Sequence, residues 1–455
     1  MSSSIQFTPA ISSPIPPAGA GSAAHRVSPA SSHERSWFDR WLLFSPLFGV
    51  TLFGKAAIPP FGAKGLALAM PLAFIVIFVQ ALRGTLVFDP IRLACFLLIL
   101  VITLGLPVLH GEHFSLPSVA LLIVLFLPFA CRFPNTSVTF DDALGVLLGL
   151  CKLIAILGLG QYLLQFFLPH EMLFPVEYYV PEFMRVSLFA NEGPLAYGSA
   201  LYRSNGVVML EPSVYSQLMA LGVIAELSTR NRILHALLYF AALVVSYSGT
   251  GIMALALAMP ILIVSQRRWD LLIYILVVAA VISVFSPYLN LDIFINRSGE
   301  LSSQSTGSSG YARFLGGFFT FNHFSQDSLY YTLFGHGPGS ARALIDRSPF
   351  PTAEMTLFKS ILELGIVGSF LFLGYVLWAV FDNAAPLAVK FILAVIFFLG
   401  GTFTLLFPGI ALSLLIWPRP DTSSWARAAR GAADRRSTPT QSRPGSNESA
   451  LIEGT

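Results

Sequence analysis

Residues 143–168 read ALGVLLGLCKLIAILGLGQYLLQFFL, an apolar run with Lys152 as its single charged residue. A helix needs about 20 apolar residues to cross the hydrocarbon core of a bilayer, so this run predicts a membrane-spanning helix. Similar apolar segments recur along the chain, separated by polar breaks. We predict helices at 41–57, 65–82, 93–109, 116–131, 143–168, 207–228, 232–248, 250–266, 270–288, 357–380, 387–400 and 403–417.

The composition agrees with a membrane protein. Of the 455 residues, 55% are hydrophobic and 11% are charged, whereas an average soluble domain carries about 25% charged residues. So few charges cannot coat a soluble surface of this size, and much of the surface must therefore face lipid. The sequence predicts an all-α, polytopic transmembrane helical bundle of about 12 helices. The net charge of +3 gives no indication of nucleic acid, and no nucleic-acid partner is expected.

Two polar tails flank the membrane domain, which we place at residues 37–417. Residues 1–36 are rich in Ser, Pro and Ala, and residues 418–455 are polar and partly basic, so both tails are predicted to be disordered. The three cysteines, Cys95, Cys131 and Cys151, have neither CxxC spacing nor a histidine cluster nearby. We expect no disulfide and no metal site, and interpret the cysteines as small buried hydrophobic residues.

Basic residues in short loops predict the orientation, because cytoplasmic loops carry an excess of Lys and Arg. With the N-terminus inside, the inner loops contain Arg83, Arg92, Arg132, Arg230, Arg232, Arg267 and Arg268. The run 387–417 is split into two helices near Gly400, since an odd helix count would place the arginines of the C-terminal tail outside. Both termini are then cytoplasmic. Two long loops, at about 169–205 and 288–356, lie on the outer side, and long loops commonly carry function.

The first loop contains two arginines and leads to an acidic residue. Arg203 ends the loop, and Glu211 is predicted about two turns into an apolar helix that Pro212 breaks or kinks. A carboxylate at that depth needs a partner, and Arg203 is the natural one. Glu211 is then either a functional group or a structural ion-pair member. Arg185 binds phosphate through its bidentate guanidinium, lies in a solvated loop or pairs with Glu182.

The second loop contains the glycine-rich stretch LFGHGPG at 333–339. His336 can exchange a proton near neutral pH, or it is an exposed residue of a tight turn. Glu354 lies at the mouth of the next helix, where it either caps the N-terminus or belongs to a site. Glu363 is predicted at membrane depth, with Lys359 one turn away as its partner.

Four motifs together resemble the superfamily of O-antigen polymerases (Wzy) and O-antigen ligases. They are RSNG at 203–206 with EPS at 211–213, SYSGTG at 246–251, LFGHGPG at 333–339, and the stretch 354–368 ending in ELGIVG. The resemblance implies an enzyme of the bacterial inner membrane. It implies transfer of a glycan from an undecaprenyl-diphosphate carrier to an acceptor sugar at the periplasmic face, with a chain-length regulator and export machinery as further partners.

The resemblance also implies roles for individual residues. Arg203 matches the arginine that ends the first loop, and Arg313 and Arg342 are the candidates for the second loop. The expected catalytic residues are Arg203, His336 and Glu211. The expected substrate-binding residues are Arg185, Arg313, Arg342 and Glu354. Because the lipid diphosphate is an activated leaving group, no cofactor is expected; cationic side chains stabilise it, and His336 or Glu211 accepts the proton of the attacking hydroxyl.

Two departures from ligases favour a polymerase, similar to exopolysaccharide polymerases of the xanthan type. Gly249 stands where ligases often carry arginine, and Ala353-Glu354 stands where they often show His-Asn. A ligase that transfers glycan to the lipid A core is the nearest alternative. A transporter or flippase of lipid-linked sugars is a second, although it would place ionisable residues on paired broken helices of an internal repeat, which the sequence lacks. A structural scaffold would not need Glu211 and Glu363 in apolar segments.

Overall fold

A computed structural model of the protein describes residues 41, 44–58, 67–84, 86–109, 115–132, 140–186, 192–195, 199–285, 309–326, 328–400 and 409. This part of the chain is mostly helical. Its helices are α1 (44–52), α2 (Ala69–Leu82), α3 (Pro90–Leu109), α4 (Leu116–Phe126), α5 (Phe140–Leu164), α6 (His170–Leu173), α7 (Pro175–Tyr179), α8 (Pro212–Thr229), α9 (Ile233–Val244), α10 (Gly249–Gln266), α11 (Asp270–Phe285), α12 (Ser309–Tyr311), α13 (Gly317–Ser325), α14 (Leu329–Phe334), α15 (Ala341–Arg347), α16 (Thr356–Phe381) and α17 (Leu387–Leu399).

Short elements complete the described structure. A π-helical turn, Ala312–Gly316, joins α12 to α13, and 3₁₀ turns occupy Leu127–Ala130 and Glu182–Met184. Two-residue strands β1 (Val87–Phe88) and β2 (Cys131–Arg132) pair antiparallel. Within the described residues, each predicted helical segment up to 387–400 contains a helix. The predicted helix 403–417, both tails and the loop residues 288–308 lie outside the described residues, apart from Gly409.

Three of the described helices, α5, α10 and α16, are long and apolar enough to cross a membrane. The shorter apolar helices lie in α2, α3, α4, α9, α11 and α17. Length is the criterion, because about 20 apolar residues in a helix match the thickness of the hydrocarbon core. The three long helices indicate that the protein associates with a membrane.

Helix α8 forms the centre of the helical assembly. It packs against α5, α9, α10 and α17, and its side chains are buried along nearly the whole helix, with Leu218, Met219 and Ile224 fully inaccessible. Helix α8 is therefore enclosed by the other helices on all sides. Helix α16 packs in turn against α3, α14 and α17.

A cluster of four charged residues joins α3 to the end of α16. Arg92 is 1% exposed and its Nη2 lies 2.9 Å from Oδ2 of Asp382, which also lies 2.7 Å from Nη2 of Arg132. Arg132 Nε lies 2.7 Å from Oδ2 of Asp89. Burial opposes the ionisation of Asp382, but hydrogen bonds from the two arginines hold its pKa below the ordinary value. Two arginines predicted for different inner loops therefore lie in one cluster.

Replacing Asp382 with Asn should destabilise the protein by about 1.5–3 kcal/mol, since hydrogen bonds to two guanidinium groups are weakened while Arg92 stays buried. Thermal unfolding in detergent measures the change. Asp270→Asn is the control, because Asp270 forms an exposed pair with Arg268 and its loss should have a much smaller effect. Equal destabilisation by the two substitutions would contradict this account of the cluster.

The same cluster predicts acid sensitivity. The pKa of Asp382 is lower in the folded protein than its ordinary value of 3.8. Its contribution to stability is therefore complete at neutral pH and disappears as the pH falls below about 3.8, through the folded-state pKa. In acid unfolding, Asp382→Asn should remove this part of the pH dependence.

Candidate functional site

Two of the sequence motifs meet through their backbones. The loop 335–339 lies against α16 where Gly365 leaves the helical conformation, with φ 69° and ψ −178°. The His336 N–H donates to the Leu362 carbonyl at 3.1 Å, and the Gly337 N–H donates to the Glu363 carbonyl at 2.9 Å. The loop thus supplies donors to two carbonyls beside the break in the helix. We call residues 335–339 and 362–365 the glycine junction.

Both glycines at the centre of this junction are required by geometry. Gly335 has φ 76° and Gly365 has φ 69°, a region that side chains other than glycine rarely adopt. A Cβ on Gly335 would lie 2.4 Å from the carbonyl oxygen of Glu363, and a Cβ on Gly365 would lie 2.4 Å from the nitrogen of Gly335. These glycines allow one backbone to approach another closely.

Glu363 points its carboxylate into the junction. It is 5% exposed and lies beside the backbone amides of Gly339 and Ala341. The Lys359 Nζ lies 3.9 Å from its Oε1, which confirms the predicted pairing. A cavity of about 10 Å³ borders Glu363, Lys359 and Ser118, which is room for a single water molecule.

A chain of charges leads from Glu363 to the surface. The Lys359 Nζ donates to Glu354 Oε2 at 2.6 Å, and Arg342 Nη1 lies 3.5 Å from Glu354 Oε1. Burial opposes ionisation of Glu354, but Lys359 and Arg342 hold its pKa below the ordinary value. The capping role weighed for Glu354 is wrong: Met355 occupies the N-cap position of α16, which has no side-chain cap. The carboxylate binds the two cations instead.

Arg313 lies on the π-helical turn beside this chain of charges. The Ala353 N–H donates to the Ala312 carbonyl at 2.9 Å, and the hydroxyls of Thr320 and Thr352 are 2.7 Å apart. The turn that contains Arg313 is thereby attached to the segment that contains Glu354. Isolated π-helical turns are frequent at functional sites.

The His336 ring is held by aromatic neighbours. It stacks on Tyr331 with ring centroids 4.3 Å apart and an interplanar angle of 12°, and it meets Phe324 edge to face at 6.4 Å. The ring is half-buried, so the interpretation as an exposed histidine of a tight turn is wrong. Four expected site residues therefore lie on segments that converge at the start of α16: Arg313, His336, Arg342 and Glu354.

The first loop forms a second assembly, which is centred on Gln161 of α5. The Gln161 Oε1 accepts from the Asn205 N–H at 3.1 Å and from the Ser204 hydroxyl at 3.0 Å. Its Nε2 donates to Asn205 Oδ1 at 3.1 Å and to the Leu173 carbonyl at 2.9 Å. One side chain thus fixes the buried motif at 203–206. Sequence reasoning missed Gln161; the available signal was an uncharged polar side chain within the apolar run 143–168.

The backbone after this motif is strained. Gly206 and Val207 both have positive φ, 67° and 66°, and such a conformation costs a β-branched residue about 1–3 kcal/mol. The Val207 carbonyl accepts from Lys55 Nζ at 2.7 Å, and Lys55 forms a buried ion pair with Glu177 at 2.5 Å. The strained backbone at Val207 is therefore held in place by Lys55, which Glu177 holds in turn.

Glu211 and Arg203 lie at the edge of this assembly. Helix α8 begins at Pro212, so the predicted placement of Glu211 two turns inside a helix is wrong, and Pro212 neither breaks nor kinks the helix. Proline suits the first helical position because its fixed φ and missing N–H cost nothing there. The Glu211 carboxylate accepts from the Ser213 hydroxyl at 2.8 Å. The Arg203 N–H donates to the Gly193 carbonyl at 2.9 Å, and its Nη2 reaches the Leu195 carbonyl at 3.4 Å.

Arg185 attaches the first loop to the turn after α1. Its guanidinium donates to the backbone carbonyl of Glu177, and its backbone pairs with Ala56. Next to Arg203, the ring of Tyr202 lies 4.0 Å from that of His170, whose Nε2 is 2.8 Å from Glu192 Oε2. Sequence reasoning did not single out this aromatic and acidic group. Helix α17 links the two assemblies, since it packs against both α8 and α16.

No family model and no curated protein matches the chain. Among the residues that the structure describes, no group of three or more His, Cys, Asp or Glu side chains is arranged to hold a metal ion. The chemistry of the site therefore follows from its own residues and from the sequence motifs.

Replacing Gly365 with Ala should disrupt the junction, because a side chain at positive φ costs about 1–3 kcal/mol before any clash is counted. Gly374→Ala, in the same helix, is the matched control, since a Cβ there meets nothing within 4 Å and alanine favours a helix. Thermal unfolding and membrane abundance should fall for the first variant and stay unchanged or rise for the second. A stable Gly365→Ala protein would contradict the described geometry.

Gln161→Leu should lower the free energy of unfolding by at least about 2 kcal/mol, because buried polar groups of Ser204 and Asn205 each lose one hydrogen-bond partner. Gln266→Leu serves as the control: Gln266 is half-buried, and its Nε2 donates to the Ser228 carbonyl at 2.9 Å. Chemical denaturation in detergent compares them. A smaller effect at position 161 than at 266 would argue against the role of Gln161.

Proposed function

We propose that the chain is a polymerase that joins undecaprenyl-diphosphate-linked oligosaccharide repeat units into exopolysaccharide or O-antigen. The observation that carries the proposal is the glycine junction. It unites the two motifs at 333–339 and 354–368 with Arg342, Glu354 and Lys359 at the start of a helix long enough to cross a membrane. Substrate that stays anchored in the bilayer would meet cations at that position.

The location proposed for this reaction is the periplasmic face of the bacterial inner membrane. In the proposed topology, about 12 helices cross the bilayer, both termini are cytoplasmic and the two long loops are outside. The separation of charged clusters along α16 supports this arrangement. The 26 residues of α16 would span roughly 39 Å if straight, compared with a hydrocarbon core of about 30 Å. Glu354 precedes one end and Asp382 follows the other.

In the proposed reaction, a hydroxyl oxygen of the acceptor sugar bonds to the anomeric carbon of the donor. The bond between that carbon and the diphosphate oxygen breaks, and the lipid diphosphate leaves with the electron pair. Arg342 and Arg203 offset the negative charge that develops on the leaving group. His336 accepts the proton of the attacking hydroxyl, with Glu211 as the second candidate. The substrate is already activated, so the scheme needs no cofactor.

The remaining charged groups have positioning or binding roles in this proposal. Glu354 contacts Lys359, and Glu354 and Asp346 lie 3.5 and 3.4 Å from the Arg342 guanidinium, whose side chain is 73% exposed and open to a ligand. Arg313 and Arg185 bind the glycan or the diphosphate from the two loops. The rings of His170 and Tyr202, beside Arg203, offer a further surface for sugar.

The test compares Arg342→Ala with Arg347→Ala in a polymer-producing cell. Both arginines are exposed residues of α15. Of the two, Arg342 forms an ion pair with Glu354, whereas Arg347 is in none of the described ion pairs. Arg342→Ala should reduce polymerisation about 100-fold, the usual effect of removing one transition-state donor, and single lipid-linked repeats should accumulate. Arg347→Ala should leave polymer length unchanged. Gel electrophoresis of polymer, mass spectrometry of lipid-linked sugars and immunoblotting provide the readouts.

Other outcomes would assign a different function. Normal polymer from Arg342→Ala and from Arg203→Ala would contradict the proposal. Full-length glycan that remains on the lipid carrier would indicate a ligase. Lipid-linked repeats trapped on the cytoplasmic side would indicate a flippase.

A further inference from the structure

An apolar groove runs between α9, α10 and α11, apart from the site described above. It encloses about 480 Å³, a volume typical of sites for small molecules. Side chains from all three helices line it, among them Ile233, Phe240, Ala256, Ile263, Leu271 and Ile275. The lining is almost entirely hydrocarbon, so the groove fits an alkyl chain.

The length of the groove matches one leaflet of a bilayer. Its lining on α10 extends from Ile252 to Ile263, which corresponds to roughly 16 Å of helix rise and to about half of a 30 Å hydrocarbon core. Pro260 lies inside α10 and lines the groove together with Ala256. Proline provides no amide donor for the Ala256 carbonyl, so the helix is locally weakened beside the groove.

One end of the groove adjoins two basic turns that are bonded to each other. The turn between α8 and α9 contains Arg230 and Arg232, and the turn between α10 and α11 contains Arg267 and Arg268. The Gln266 Nε2 donates to the Ser228 carbonyl at 2.9 Å, and Arg268 Nη1 donates to the Leu227 carbonyl at 3.3 Å. Leu227 itself lines the groove. The arginines therefore lie next to its opening.

The positive charge at this end exceeds the local negative charge. Asp270 pairs with Arg268 at 2.6 Å, and Glu226 lies 3.6 Å from His235. Arg232 and Arg267 are exposed and take part in neither pair. Trp269 is 60% exposed beside them. Tryptophan next to arginine at a helix end is typical of the interface between lipid and water.

We propose that the groove and its basic end form a binding site for an anionic diacyl phospholipid. The headgroup phosphate binds Arg232 and Arg267, and acyl chain occupies the groove between α9, α10 and α11. Anionic headgroups attract arginines in this position, whereas a zwitterionic lipid gains far less from them. The site depends on membrane residence alone and not on sugar transfer. A result for or against the lipid site therefore leaves the proposed polymerase activity untouched.

The charge arm of the test uses native mass spectrometry of the purified protein with added phosphatidylglycerol or phosphatidylcholine. The unchanged protein should retain phosphatidylglycerol preferentially. Arg232→Gln combined with Arg267→Gln should weaken phosphatidylglycerol binding about 25-fold, at about fivefold for each cation, and should barely affect phosphatidylcholine. Arg347→Gln, an exposed arginine on α15, is the control and should change nothing.

The groove arm uses Ala256→Phe, which fills the groove from a position that is exposed to it. It should abolish retention of phosphatidylglycerol at an unchanged unfolding temperature. Leu257→Phe, the next residue, is 49% exposed and does not line the groove, so it should bind lipid normally. Equal retention of the two lipids by the unchanged protein, or unaltered binding in the double-arginine or Ala256→Phe variant, would overturn the proposal. A crosslink from Ala256→Cys to residues 403–417 or to a second copy would also overturn it, since protein would then cover the groove.

Discussion

The structure depends on one backbone contact, in which two loop amides bind two carbonyls beside the break in α16. The approach is so close that both Gly335 and Gly365 must lack a side chain. Through this contact the loop positions the first turn of α15, where the amide of Ala341 lies beside the Glu363 carboxylate. The remaining charges, Lys359, Glu354 and Arg342, follow outward from that carboxylate. A displaced loop would move these amides away from a buried carboxylate, which low-dielectric surroundings make costly.

Polar groups elsewhere obey the same constraint, because charge is tolerated in an apolar assembly only where partners surround it. Lys55 and Glu177 neutralise each other in the first-loop assembly. Arg92 and Arg132 share Asp382 at the far end of α16. Each cluster joins segments that are distant in sequence, so it fixes tertiary structure as well as charge. The arginines at the ends of α8 and α10 differ, since Arg232 and Arg267 are exposed outside the described pairs, and that difference motivates the lipid site.

The ion pairs around Arg342 and the strained backbone at Val207 both bear on the proposed chemistry. A reaction that releases a lipid diphosphate needs cations that stay fixed while the substrate enters from the bilayer. In the proposal, Arg342 is held by its ion pairs with Glu354 and Asp346, and Glu354 is itself held by Lys359. The strained backbone at Val207 lies close to Arg203 in sequence, and Gln161 holds the segment between them. Strain of this kind persists only where the surrounding structure over-determines it.

The sequence by itself determined the apolar helices, because apolar length and flanking polar residues are local properties; the predicted segments 250–266 and 387–400 differ from α10 and α17 by a residue at one end. The short helices α6, α7 and α12 to α15 lie in segments that were predicted as loops. It also identified the pairing of Lys359 with Glu363, which are neighbours on one helix face. Only the tertiary structure decided how 335–339 meets Gly365, why Gln161 matters, and that Glu211 precedes α8. These depend on backbone contacts between segments far apart in the chain, and residue types at a fixed spacing do not encode which distant carbonyl an amide will find.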